Sequence, residues 1–105
     1  MLLPEVLGLL GLAQRAGKIV IGATAVRHEI HRQRATLLIF ATDFSPTTKT
    51  RFLAEAKYNP PAFEIGTMQE WGAFFSRSAK TKIGVIAITD KNFAAGILQK
   101  LAIPA

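Results

Sequence analysis

Apolar positions recur along this chain with two periods, one helical and one extended. Leu3, Val6, Leu10 and Ala13 share a face at helical spacing, which predicts a first helix from about Pro4 to Ala16. Pro4 suits a first turn, and Gly17 suits the left-handed position just past a helix end. Lys18 to Ile21 reads as a short apolar strand closed by Gly22. A second helix is expected from about Ala23 to Gln33. Ala23, Val26 and Ile30 would face inward, with Arg27, His31 and Arg34 in an outward row and His28 and Arg32 beside it.

The segment Thr36 to Thr42, TLLIFAT, is almost continuously apolar, as expected of a strand covered on both faces. Ser45 and Pro46 then read as the N-cap and first position of a third helix ending near Tyr58, before Asn59-Pro60-Pro61. Ala62 to Ile65 is a short strand. Thr67-Met68-Gln69-Glu70 is a capping-box pattern that opens a fourth helix. Ser76 to Lys82, SRSAKTK, reads as a basic polar loop. Ile83 to Thr89 is a strand, and Asp90 caps a last helix to about Leu101. Strands joined by helices imply an α/β fold of three layers, α/β/α, with a small four-stranded sheet.

At 105 residues the chain is expected to form one domain, residues 1–105, with a single core. A formal charge of +6 favours a polyanionic partner. There is no cysteine, which removes disulfides and thiolate metal sites and is compatible with a reducing compartment. The opening MLLPEVLGLLGLA has no basic leader, is broken by Glu5 and is too short to span a bilayer. A soluble cytoplasmic protein with no membrane contact is expected.

Evidence for an enzyme is weak. Asp43 and Asp90 each follow an apolar strand, a place where α/β folds often keep a reactive carboxylate. Capping and turn duties account for both without chemistry. His28 and His31 share a helix face, yet their basic neighbours would repel a metal cation. Arg15-Ala16-Gly17-Lys18 resembles only a fragment of a phosphate loop. No catalytic residue, metal ligand or cofactor is therefore expected. The basic clusters are Arg15/Lys18, the second-helix row and the Arg77/Lys80/Lys82 loop. An alternating fold could bring them to one end of the sheet. On pattern alone, a phosphate-binding surface and a solubility-giving one fit them equally.

Four blocks resemble a known family: LGLAQRAGKIVIG at Leu10–Gly22, LLIFATDFSPTTK at Leu37–Lys49, GTMQEWG at Gly66–Gly72 and VIAITDKNFA at Val85–Ala94. They resemble the bacterial YlxQ-type members of the ribosomal-protein seven-Ae/thirty-e superfamily, whose best-known relatives bind kink-turn RNA. The resemblance implies a mixed four-stranded sheet and non-catalytic binding of structured RNA, ribosomal RNA included. It places Gly22 before the RNA-contacting helix. Thr24, Ala25 and His28 stand where kink-turn binders hold Asn, Glu and Lys. Ser45 stands at an often acidic position and Lys49 at an often apolar one. The Ser76–Lys82 loop, with Lys80, Thr81 and Lys82, lies where the family's second RNA-contacting loop lies.

Losing Asn and Glu removes base-edge hydrogen bonds while phosphate contacts survive, so relaxed kink-turn specificity is expected. Phosphates would be held by Lys18, the start of the second helix, Arg27, His28, His31 and the Lys80–Lys82 loop. An alternative on the same fold is a protein-interaction module that has lost RNA, using Phe74 and Phe75 as an exposed apolar patch. A third reading is a small phosphate-handling enzyme centred on Asp43 or Asp90.

Overall fold

In the computed structural model, which describes residues 4–76 and 80–102, helices and strands alternate from end to end. The order is α1 (Pro4–Arg15), β1 (Ile19–Ile21), α2 (Ala23–His31), β2 (Leu37–Phe40), α3 (Pro46–Glu55), β3 (Ala62–Glu64), α4 (Met68–Ser76), β4 (Val85–Ile88) and α5 (Lys91–Ala102). The sheet runs β1-β4-β2-β3. The β2–β3 pair is parallel, while β4 pairs antiparallel with both β1 and β2. This is a three-layer α/β/α sandwich on a mixed four-stranded sheet.

The near-continuous apolar strands follow from burial on both faces. Side chains alternate across a strand, so Leu37 and Ile39 of β2 join Ile86 and Ile88 of β4 on one face. There they meet Val6, Leu10 and Ala13 of α1, Trp71 of α4 and Ile97 of α5. Leu38 and Phe40 join Val85 and Ala87 on the other face, against Val26 and Ile30 of α2 and Phe52 of α3. The Trp71 indole is fully buried and donates its Nε1–H to the Ile65 carbonyl at 2.8 Å, which removes the cost of hiding that donor.

Element ends differ from expectation in a few places. Ala23 is exposed, because α2 begins there and its first turn projects past the end of β1. Helix α3 stops at Glu55 rather than near Tyr58. Asn59 sits at φ 53, a left-handed conformation that asparagine tolerates, and turns the chain toward Pro60, while the Tyr58 hydroxyl donates to the Ala35 carbonyl at 2.9 Å. Strand β2 is shorter than the TLLIFAT run. Thr36 hydrogen-bonds the Ile88 carbonyl and Thr42 the Gly66 carbonyl just outside it. Gly17 takes the left-handed conformation expected of it, at φ 72. Leu3 and Arg77 lie outside the described residues.

Candidate nucleic-acid interface

Strand directions decide which side chains can act together. The pairs Ile21↔Ile86, Phe40↔Val85 and Phe40↔Glu64 put the ends of β1, β2 and β3 beside the start of β4. Helices α2, α3 and α4 therefore all begin at one end of the sheet, where the Lys80–Lys82 segment also returns to the core. A helix start carries unpaired N–H groups and the positive end of its dipole. Two of these starts are capped by side chains. Ser45 Oγ accepts from the Thr48 N–H at 3.3 Å on α3. On α4, Thr67 and Glu70 form the expected reciprocal box, at 2.9 and 3.1 Å, and Asp43 Oδ1 accepts from the Met68 N–H at 2.8 Å.

The start of α2 is different. No side chain caps it, and no acid lies in its first turn. Gly22 precedes it at φ 94 and ψ 157, a conformation almost confined to glycine. Its N–H donates to the Val85 carbonyl at 2.9 Å, and its own carbonyl accepts the Val26 N–H at 3.0 Å. Gly22 thus pins the helix to β4 and leaves the first N–H groups pointing off the end of the sheet. An open depression of about 560 Å³ lies there, lined by Gly22, Thr24, Ala25 and His28 among others. Four of the residues singled out from sequence meet at this one feature.

The loop before β4 borders the same end. A Cβ on Gly72 would stand 1.7 Å from the Thr81 carbonyl oxygen, so the loop backbone lies directly on α4 where there is no side chain. The Ile83 N–H donates to the Met68 carbonyl at 3.0 Å. Gly84 is packed as closely against the Phe44 ring. Lys80, Thr81 and Lys82 remain exposed along this docked segment.

Several cations are partly committed. Arg27 donates to both oxygens of Glu55, at 2.8 and 2.7 Å, and His31 Nε2 lies 3.2 Å from Oε1. The Arg27 hydrogen bonds are the main reason the Glu55 carboxyl titrates below the usual carboxylate range, against a weaker opposing effect of desolvation. About half of the Arg27 and His31 side-chain surface is still open to solvent. Arg32 Nη1 lies 3.3 Å from His28 Nε2, a contact that requires a neutral imidazole as acceptor. Lys49 is ion-paired with Glu64, and its Nζ lies 5.7 Å from the Phe40 ring centre.

Not every expected member joins the site. The Lys18 carbonyl accepts from the Thr89 N–H, and Ile19 pairs with Ile88. Lys18 therefore sits at the opposite end of the sheet from Gly22, roughly 13 Å away along β1 at about 3.3 Å per residue. The basic clusters do not all converge. Phe74 and Phe75 are half-buried and pack on Trp71, with ring centres 6.4 and 5.8 Å from it. They form no free apolar patch. Asp43 and Asp90 lie at opposite ends of the sheet, and both cap helices, Asp90 Oδ1 accepting from Asn92 at 2.8 Å and Phe93 at 3.0 Å.

Two further residues emerge only from packing. Arg51 of α3 lines a second small groove with Thr24 and Arg27, and Glu55 reaches across from α3 to α2. Each lies far along the chain from its neighbour on α2, and no local spacing announces the pair. Among the described residues, no group of three His, Asp or Glu could hold a metal, and no helix is long and apolar enough to cross a membrane.

Three helix starts and a basic loop at one end of a mixed sheet, inside an α/β/α sandwich, define a small class of proteins. The chain belongs to the ribosomal protein L7Ae/L30e/S12e/Gadd45 family, whose model matches residues 5–95. It is 32% identical over 94 residues to the RNA-binding protein YlxQ of Bacillus subtilis, covering 89% of this chain and 91% of that one. It is 30% identical over 91 residues to the RNA-binding protein YlxQ of Enterococcus faecium, covering 86% and 84%. Among solved structures, a Bacillus halodurans protein of unknown function superposes with a TM-score of 0.78 at 28% identity, over 90% of this chain and 94% of the other. A Giardia lamblia 15.5kD RNA binding protein shares the fold, with a TM-score of 0.69 at 19% identity, over 90% and 80%.

Proposed function

We propose that this protein binds structured RNA, without a catalytic step, through the end of the sheet where α2 begins. The observation that carries the reading is the uncapped α2 start behind Gly22, facing a depression bordered by Thr24, Ala25 and His28. Free backbone N–H groups and the helix field suit a phosphate oxygen. Lys82, Arg27 and Arg51 add charge around that point. The YlxQ relatives, named as RNA-binding proteins, support the same reading. The expectation of a cytoplasmic protein agrees with it.

Within this function the preference for a kink-turn is weak. Thr24 offers one short hydroxyl, and Ala25 offers no side-chain hydrogen bond. Phosphate contacts position an RNA, whereas base-edge contacts specify it. Ribosomal RNA is one structured partner that fits.

The test compares binding to a kink-turn RNA, a straight duplex and a single strand across a salt series. Affinity for folded RNA should fall steeply with salt, by roughly 0.7–0.9 in logarithmic slope per phosphate contact. Replacing His28 or Lys82 with Ala should weaken all folded RNAs alike. Absence of binding at low salt would remove the proposal.

A further inference from the structure

The depression at the α2 start does not end at His28. Val20 and Glu29 form one of its walls, and the same two residues line a second groove of about 480 Å³ that reaches Gly17, Arg34 and Lys91. The two grooves are neighbours that share these two residues. They run between α2 and β1, which is an edge strand of the sheet. One lies by Gly22 and the other by Gly17, so together they form a track toward both ends of β1.

Charge is distributed unevenly along it. Arg34 and Lys91 line the far end and are exposed, and Lys18, which follows Gly17 of the same lining, is exposed as well. Among the described residues, none of the three has an ion-pair partner. Lys91 is the first residue of α5, at the helix end whose field disfavours a cation. Its position is not explained by helix stability. Arg34 follows Gln33, whose left-handed φ of 57 carries the chain out of α2. Two acids lie close to these cations. Asp90 is engaged in capping α5, and Glu29 stands at the midpoint of the track.

We propose that a single-stranded segment continuing from the RNA bound at the α2 start lies along this groove and is held at its far end by Arg34, Lys91 and Lys18. This rests on the RNA-binding reading of the α2 end. The stretch from Gly17 to Gly22 spans at most about 17 Å at roughly 3.3 Å per residue, room for about five nucleotides of a stacked single strand at roughly 3.4 Å each. The chemistry favours a polyanionic strand over an apolar partner, because Arg34 and Lys91, which line the far groove, have no ion-pair partner among the described residues.

The experiment uses the full chain and a bulged hairpin RNA, either blunt or carrying about five extra unpaired nucleotides on its 5′ or 3′ strand. One of the two extensions should tighten binding about tenfold and steepen the salt slope by about two, for three added contacts at roughly 0.7 each. The double variant Arg34→Ser/Lys91→Ser should lose that gain and keep the affinity for the blunt hairpin. No gain from either extension, or a gain that survives the double variant, overturns the proposal. Saturable binding of polyglutamate with no gain from RNA extensions assigns the groove to acidic peptides and overturns it too. If the blunt hairpin does not bind while the unpaired strand alone binds in an Arg34- and Lys91-dependent way, the groove stands and the α2-start reading falls. If no RNA binds, both fall.

Discussion

Arg27 and Glu55 close the gap between α2 and α3 with two parallel hydrogen bonds of 2.8 and 2.7 Å. Such a fork-to-fork contact fixes direction as well as charge. It joins two helices that both start at the proposed RNA end, and it partly neutralises the basic row of α2.

Glu55→Gln should therefore raise affinity for folded RNA severalfold at low salt, by freeing Arg27 and His31. It should also lower the melting temperature slightly, since the helices lose a bond. Filter binding and thermal unfolding on the same preparation check both. Unchanged affinity would show that the Arg27 row lies outside the footprint.

The same pair sets a pH dependence. The folded-state pKa of Glu55 is lowered from 4.5, so its stabilising effect is complete above the unfolded value and is lost as pH falls through the folded one. The melting advantage of the native chain over Glu55→Gln should disappear as pH falls below about 5. An advantage that grew on acidification below that pH would contradict the pairing.

Gly72→Ala tests the loop against α4. In an ordinary helix alanine is better than glycine by about 1 kcal/mol. Here the new methyl group would stand 1.7 Å from the Thr81 carbonyl oxygen, so backbone must move. Overpacking of this kind typically costs about 1–3 kcal/mol. Urea unfolding should show net destabilisation, and RNA affinity should fall as Lys82 is displaced. A more stable variant would mean the loop yields freely.

Gly22→Ala asks a different question, because its Cβ would meet nothing within 4 Å. Only the backbone objects, and a non-glycine residue at φ 94 and ψ 157 costs on the order of 1–3 kcal/mol. The variant should lose stability and RNA affinity together, as α2 shifts off its Val85 anchor. Loss of stability alone would separate the anchor from the binding surface.

Specificity is addressed by Thr24→Asn with Ala25→Glu. A good hydrogen-bond pair to a base edge is worth about 1–3 kcal/mol of discrimination. The native chain should prefer a kink-turn over a plain bulge by less than about tenfold, or about 1.4 kcal/mol. The double variant should widen that gap in a competition assay. A native preference of a hundredfold would move recognition to the backbone around Gly22 or to the Lys80–Lys82 loop.

Local chemistry was the legible part of this molecule. Ser45 to Thr48, Thr67 to Glu70 and Asp90 to Phe93 are bonds between residues three apart, and such spacing is visible in a string of letters. Both threonines flanking β2 looked like strand and proved to bond just beyond it. Proximity in sequence groups Lys18 with the α2 cations. The short β1 carries the chain to the other end of the sheet, and so separates them. Arg27 with Glu55, and Asp43 with Met68, are 28 and 25 residues apart and depend on which helices become neighbours. That information resides in packing rather than in any local pattern.

The position of β4 has a consequence for how the protein is made. Among the described residues it is the last strand, yet it lies between β1 and β2 and supplies the only ladder that β1 has there. While the polypeptide is still emerging from N- to C-terminus, β1 has no neighbour, and the Gly22 N–H has no Val85 carbonyl to meet. The sheet must then close across a long stretch of chain, a slow kind of contact. The proposed RNA-facing end is thus assembled last, and a growing chain cannot present it before β4 has left the ribosome.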